Sequence, residues 1–573
     1  MIRRMALSAG WLAVAACAPV GSGGDAREWL AVGRQAMVAS DSVDASRAGV
    51  EVLRAGGNAV DAAVATSFAL AVTRPYSMGL GGGGFMMIRM AKTGEVFVLD
   101  YRERAPAAAT ADMFVQARAA NPQGPSPSEY GGLAAGVPGL VAGHAAVLER
   151  LGTRTLSEVI EPAVALAADG FDVDRHYCSV ARECLADMRR EPALARIGAE
   201  LRKTYLFDGR EPRPGERLRQ PALARALGLI RDRGPEAFYR GPIARAIVEA
   251  NRAAGGVLAL EDLAGYRPTW REPLRLRYRD RYEILLMPPP SSGGICIAET
   301  LNILEHWDLA GVARRDPGLA AHLTIEALKH AFADRAGLLG DADFAEVPVG
   351  RLIDKSFARR LAARIREDRA IQVNAAGGPP RDAGTSHFSV VDRWGNVVAC
   401  TETINTSFGS WVMVPEYGIV LNNEMDDFTA EPGKPNAFGL RQSEANAVAP
   451  GKRPLSSMSP TIVLRDGRPV LALGAAGGPR IITGTLQVML NVIEYGQPLE
   501  RAIEQPRLHH QWMPDVVYRN QFAADAPVIA GLRRRGHRIS AKRQDAVVQA
   551  IQIEPGRLIG ASDPRKGGQP LGY

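Results

Sequence analysis

Thr385 stands at a sharp change in the chain. Ala375 to Gly384 is dominated by Gly and Pro and cannot hold regular structure, whereas His387 to Val391 alternates as a strand does. A threonine hydroxyl is a nucleophile once a base takes its proton. The same place also suits an ordinary solvated hydroxyl. The adjoining Ser386 and His387 invite a serine-hydrolase reading, but consecutive strand residues point to opposite faces. No G-x-S-x-G elbow occurs, and His387 reads as structural.

A second feature is Gly474-Ala475-Ala476-Gly477-Gly478-Pro479, between a strand ending near Leu473 and a helix beginning near Arg480. Glycines there let the backbone approach a ligand, and amides at a helix start face negative charge. The pattern suits a tight turn, an oxyanion hole or a phosphate cradle, although the Lys-Ser/Thr of a P-loop is missing. Third, Asn422-Asn423-Glu424-Met425-Asp426-Asp427 follows the apolar run Gly418 to Leu421 and offers carboxylates to an ammonium. Arg453 with Ser456 and Ser457 offers donors to a carboxylate. Either cluster alone also fits a capped turn.

The elements that must position these groups are partly legible. Asp44 to Leu53 reads as a helix closed by Gly56-Gly57, and Asn58 caps a second helix with Asp61 in its first turn. The glycine run Gly79 to Gly84 leads into a strand, Phe85 to Ile88, and a second strand, Val96 to Leu99, delivers Asp100 to Glu103. Residues 140 to 370 read as mostly helical, broken by a rigid turn from Met287 to Gly294. Past the Gly/Pro stretch, strands are expected at 387–391, 397–401, 461–464 and 470–473, the last two joined by an Asp466-Gly467 hairpin signal. A helix is expected from 481 to 495. Strand-rich and helical blocks in this order predict a layered α/β (α+β) architecture. Residues 385–573 read as a unit of their own.

Bulk properties narrow the classes. The chain has 573 residues, a formal charge of +7, 46% hydrophobic and 23% charged residues, ordinary for a globular enzyme. The densest basic cluster is Arg533-Arg534-Arg535, which reads as a solvated helix end, so nucleic acid is not an expected partner. Residues 1–24 resemble a signal segment: Arg3 and Arg4, an apolar run to Ala16, then small residues. Val14-Ala15-Ala16-Cys17 also fits a lipoprotein site, placing the protein in the periplasm or outside the cell, free or tethered through Cys17. The remaining cysteines, Cys178, Cys184, Cys296 and Cys400, are too scattered for a disulfide framework or a zinc site. Cys178 and Cys184 could pair or remain free thiols. His509-His510 lack a third ligand at metal spacing, so neither metal nor cofactor is expected.

Taken together and in register, the segments resemble the γ-glutamyltransferase family from about Ala36 to Tyr573. The likeness runs through Gly79 to Phe85, Tyr101-Arg102-Glu103, Pro288 to Gly294, Thr385 to Asp392 and Thr401 to Asn405. It continues through Leu421 to Phe428, Lys452 to Pro460, Gly477-Gly478, His509 to Trp512 and Ala561 to Arg565. The resemblance implies an N-terminal-nucleophile hydrolase fold, a four-layer αββα sandwich. It implies a precursor cut before the nucleophile, here at Gly384-Thr385, into a large subunit, 25–384, and a small one, 385–573, that stay together as a heterodimer. The freed α-amine, with a reference pKa of about 7.7–8.0, would serve as base.

By the same resemblance, Thr385 attacks the γ-carbonyl and Thr403 orients it. Gly477 and Gly478 hold the oxyanion. Arg102, Ser456 and Ser457 bind the α-carboxylate, and Asn405, Glu424 and Asp427 the α-ammonium. Phe438 falls in a lid segment, 432–440. The implied donor is glutathione or another γ-glutamyl amide, with water, an amino acid or a peptide as acceptor. Two rival readings remain: a glutaryl (cephalosporin-type) acylase of the same fold, and a non-catalytic relative. Asp427 opposes the first, since a glutaryl group brings no ammonium to match it.

Overall fold

The computed structural model describes residues 27–372, 384–543 and 545–573. The leader with Cys17, and residues 375–383 of the Gly/Pro stretch, lie outside the described residues. Fourteen strands form two antiparallel seven-stranded sheets. They are β1 (Leu30–Gly33), β2 (Met37–Ala39), β3 (Gly83–Arg89), β4 (Val96–Asp100), β5 (Thr269–Arg271), β6 (Leu274–Tyr278) and β7 (Tyr282–Leu286). After the Gly/Pro stretch come β8 (Gly384–Val391), β9 (Val397–Asn405), β10 (Thr461–Arg465), β11 (Arg468–Ala476), β12 (Val547–Glu554), β13 (Arg557–Ser562) and β14 (Leu571–Gly572). One sheet has the order β1-β13-β12-β11-β10-β7-β6, the other β14-β2-β8-β9-β3-β4-β5.

Strand periodicity explains the layers. In β9, Val398 and Cys400 enter the core under the outer helices, while Val397 and Ala399 enter the core between the sheets. In β3, Met86 and Ile88 go one way, Phe85 and Met87 the other. One helical layer is led by α1 (Val43–Arg54) and α2 (Ala59–Thr73). α2 opens with a capping box between Asn58 and Asp61, and all its residues are buried, as befits a helix apolar on every side. The opposite layer holds α3 (Gly293–Leu304), α4 (Pro317–Leu338) and α5 (Arg480–Ile493). The αββα expectation therefore holds.

Two expectations need correction. Residues 385–573 do not form a unit of their own: each sheet takes strands from both sides of Gly384, so neither part has a complete sheet alone. The largely helical stretch 140–370 also contains β5, β6 and β7. The β6–β7 hairpin turns at Arg279 and Asp280, both at positive φ, and Arg-Asp carries none of the usual Asn-Gly signal. Cys178 and Cys184 lie on one helix, Arg175–Arg190, as buried free thiols. Six residues of helix separate them by about 9 Å along the axis, beyond disulfide reach. Among the described residues, no helix is long and apolar enough to cross a membrane.

Candidate active site

The site grows from the start of β8. Gly384 pairs with Asn405 and Thr385 with Thr403, with a register irregularity between Gly384 and Thr385. A Cβ on Gly384 would stand 2.5 Å from Tyr76 O and 2.7 Å from Thr406 O, so the chain here passes where only glycine fits. Thr385 Oγ1 lies 3.1 Å from Thr403 Oγ1. Thr403 Oγ1 donates to Gly384 O at 2.7 Å and accepts from Asn405 N at 2.8 Å. A hydroxyl has one proton, and Thr403 has committed its own to Gly384 O. Thr385 is therefore the donor between the two hydroxyls.

His387, two residues on, bonds Thr401 Oγ1 at 2.8 Å and Ser389 Oγ at 3.2 Å. Burial pulls its pKa down to about 3, which keeps it neutral and structural.

Arg102, two residues past β4, is fully buried. Its Nη1 lies 2.8 Å from Glu424 Oε2 and its Nη2 2.6 Å from Asp427 Oδ2, while Nε donates to Pro454 O at 2.9 Å. Burial alone would lower its pKa, but Glu424 and Asp427 raise it above the ordinary value. One guanidinium faces three carboxyl groups, because Glu103 is 4.0 Å away. Burial pushes all three acids up, Glu103 to about 8, with Arg102 opposing. Neither oxygen of Glu103 has a hydrogen-bond partner among the described residues.

The serine pair is held from behind. Ser292 Oγ donates to Ser456 O and Ser291 Oγ to Met458 O, each at 2.6 Å. The turn 287–294 therefore clamps the loop that presents Ser456 and Ser457. A Cβ on Gly293 would fall 1.8 Å from Ser459 Oγ and 3.0 Å from Ser457 O, so any larger residue there would have to turn Ser459 aside. Gly477 (φ 130) and Gly478 (φ 57) follow β11, and α5 begins at Arg480, one residue past Pro479. Proline there removes an amide outside the helix proper.

The sequence matches the Gamma-glutamyltranspeptidase family over residues 45–573. The chain belongs to that family. It is accordingly a γ-glutamyltransferase, an enzyme of acyl transfer. It is 43% identical over 546 residues to a glutathione hydrolase proenzyme of Escherichia coli, covering 93% of this chain and 90% of that one. It is 39% identical over 548 residues to an Acylase ACY 1 proenzyme of Pseudomonas sp., covering 94% of each. Among solved structures, a cephalosporin acylase from Bacillus halodurans superposes with a TM-score of 0.83 at 29% identity, covering 98% of this chain and 99% of that one.

In this γ-glutamyltransferase, Arg102, Thr385, Thr403, Asn405, Glu424, Asp427, Phe438, Ser456, Ser457 and Gly478 line one cavity with Met458 and Ile481. Gly477 adjoins it through Gly478. The open space is about 20 Å³, room for little more than one water. Phe438 closes it: a Cβ on Gly478 would lie 3.0 Å from the Phe438 ring. Phe438 has no hydroxyl with which to hold itself in place. The segment is tied down by its neighbours: Asn436 Nδ2 donates to Asp427 Oδ1 at 3.2 Å, and Gln511 Nε2 donates to Phe438 O at 3.0 Å.

Sequence reasoning missed Glu103, Met458, Ile481 and Asn436. Glu103 adjoins Arg102 in the quoted Tyr-Arg-Glu motif, and that adjacency was its one signal. The others are ordinary residues whose placement is tertiary. His509 and His510 are buried and bond separately, to Gln511 and Asp515. Among the described residues, His322, Glu326 and His537 come close enough to hold a cation. They are already matched: His322 bonds His537 and Arg366 O, and Glu326 faces Lys329 Nζ at 2.9 Å.

Proposed function

We propose that the chain is a glutathione hydrolase and γ-glutamyl transferase that cuts its own Gly384-Thr385 bond and then uses Thr385 as nucleophile. The observation that carries this is the position of the Thr385 hydroxyl. It directly follows the bond to be cut and opens on a buried cavity whose other walls are Arg102, Asp427 and Ser456. Attack by Thr385 Oγ1 on the Gly384 carbonyl carbon expels the amide nitrogen as an amine and forms an ester, which water then hydrolyses. Thr403, donating to Gly384 O, polarises the carbonyl under attack. The products are a Gly384 carboxylate and a Thr385 α-amine able to take the hydroxyl's proton.

The cavity then suits a zwitterionic α-carbon. The α-carboxylate of the donor meets Arg102 and the Ser456 and Ser457 hydroxyls, and its α-ammonium meets Asn405, Glu424 and Asp427. Glu424 Oε1 is buried without a hydrogen-bond partner among the described residues, an acceptor suited to that ammonium. The γ-carbonyl reaches Thr385, the Gly477 and Gly478 amides receive the oxyanion, and water or an amine resolves the ester. Two similar proteins are acylases, which keeps the glutaryl alternative in view. Against it stand Glu424 and Asp427, two cavity acids facing the one Arg102 guanidinium, a surplus that an ammonium would balance and a glutaryl chain would not.

Chain masses under denaturing conditions test the reading. Fragments meeting at Gly384-Thr385 are expected in the parent, and one uncut chain in Thr385→Ala. An uncut parent would defeat it. Paired γ-glutamyl and glutaryl anilides decide the substrate. Residues 1–24 are proposed as the leader to a periplasmic or extracellular location, testable by cell fractionation.

A further inference from the structure

Lys566 is buried four residues beyond β13, in the turn Lys566-Gly567-Gly568. Gly567 has φ 81, and a Cβ on Gly568 would stand 2.4 Å from Ser40 O and 2.5 Å from Asp41 Cα. The turn is thus pressed against the segment before α1, and this delivers the ammonium inward. Lys566 Nζ lies 2.6 Å from Asp41 Oδ2, 3.0 Å from Ser77 Oγ and 2.8 Å from Thr385 O. Three partners match its three donors. Asp41 Oδ2 also accepts from Ser386 Oγ at 3.1 Å.

We propose that Lys566 is a positioning residue for the nucleophile: it holds Thr385 by its carbonyl once the Gly384-Thr385 bond is cut, and it keeps the freed α-amine neutral. This rests on the self-cleavage reading above. Cutting makes Thr385 a chain terminus, and termini fray unless tied down. The cut also releases Gly384 and with it the bond from Thr403. The Lys566 tether attaches on the other side of Thr385 and survives the cut.

The new amine and the tethered carbonyl belong to one residue, so Nζ sits within about 6 Å of the amine by backbone geometry. A like charge at that range disfavours the ammonium form. Other charges face the same place. Asp41 is bound to Lys566 and touches Ser386. Arg74 donates to Asp41 O at 2.8 Å and pairs with Asp174, beside the Tyr76 phenol. Across the cavity stand Arg102, Glu424 and Asp427, with Glu103 next to Arg102. Among the cations of the described residues, Lys566 is the one that bonds Thr385 itself. Burial lowers the Lys566 pKa and Asp41 opposes that shift, so the pair acts as one unit.

The test compares parent, Lys566→Met, Lys566→Arg and Asp41→Asn by chain mass, melting temperature and kcat and KM for a γ-glutamyl anilide from pH 5 to 9. Removing the cation raises the amine pKa. In Lys566→Met the acid limb of kcat is expected to move up by about one pH unit, with kcat at pH 6.5 down about tenfold and KM within about twofold. Lys566→Arg is expected to restore the limb. Asp41→Asn removes an anion and keeps Lys566, so its limb is expected to move down. If Lys566→Met does not fold, the arginine and asparagine variants decide. A cut, active parent whose acid limb is unmoved in Lys566→Met, or in Asp41→Asn, would overturn the role of Lys566 alone. An uncut parent would overturn the reading beneath it as well.

Discussion

Thr403 Oγ1 donates to Gly384 O at 2.7 Å while lying 3.1 Å from Thr385 Oγ1, so one hydroxyl touches both sides of the bond proposed to be cut. Before the cut its proton serves the carbonyl. Afterwards, with Gly384 gone, the same proton is free to be donated to Thr385 Oγ1. Thr403→Val keeps the shape and loses these two bonds together with the one from Asn405 N. Self-cleavage is expected to slow by about 10²–10³, the usual cost of one oxyanion donor, and Thr403→Ser to cut at near the parent rate. Chain masses followed over time check this.

Asn436, in the proposed lid, bonds Asp427 of the proposed substrate site. Asn436→Ala removes a bond to a charged group, with about 1.5–3 kcal/mol as the usual scale. Amide protons between residues 436 and 440 are expected to exchange at least tenfold faster, while those of β9 stay unchanged. Hydrogen exchange on the two segments measures the difference, and equal protection in variant and parent would show that Asn436 is no latch.

The acids around Arg102 make stability and binding depend on pH. Glu103 titrates near 8 when folded, against an ordinary 4.5, because burial outweighs Arg102. Between those values the folded state holds more protons than the unfolded one, so this group's contribution to stability falls as pH rises. Glu103→Gln is expected to lose that dependence, its melting temperature gaining on the parent at pH 8.5 relative to pH 5. Donor binding has the opposite slope: an ammonium prefers ionised Glu424 and Asp427, whose pKa values burial raises, so KM is expected to rise on acidification. Thermal melts and KM at four pH values check both signs.

Asp427 separates the two substrate readings. Asp427→Asn keeps the shape but removes an anion that only an ammonium-bearing donor would use. kcat/KM for a γ-glutamyl anilide is expected to fall about 30- to 100-fold, in line with a charge-assisted bond, while the glutaryl anilide changes much less. Equal losses on both anilides would assign Asp427 to holding Arg102 alone.

The sequence by itself determined the pieces whose physics is local. The Asn58 capping box, the Asp466-Gly467 hairpin and the alternating strands around Thr385 follow from side-chain chemistry and a period of two. Motif order then placed Thr385, Arg102, Asp427 and the serine pair in one expected site. Tertiary structure decided what depends on segments distant in sequence. The strands before and after Gly384 interleave in both sheets, because each part lacks the partners to satisfy its own strand edges. The turn 287–294 clamps Ser456 from more than a hundred and fifty residues away. Lys566, unremarked in the sequence, reaches Thr385 only because Gly567 and Gly568 let the chain press against Asp41. A lysine next to glycines carries no periodic or motif signal. Its meaning comes from the buried carbonyl, carboxylate and hydroxyl that the fold brings to its three donors.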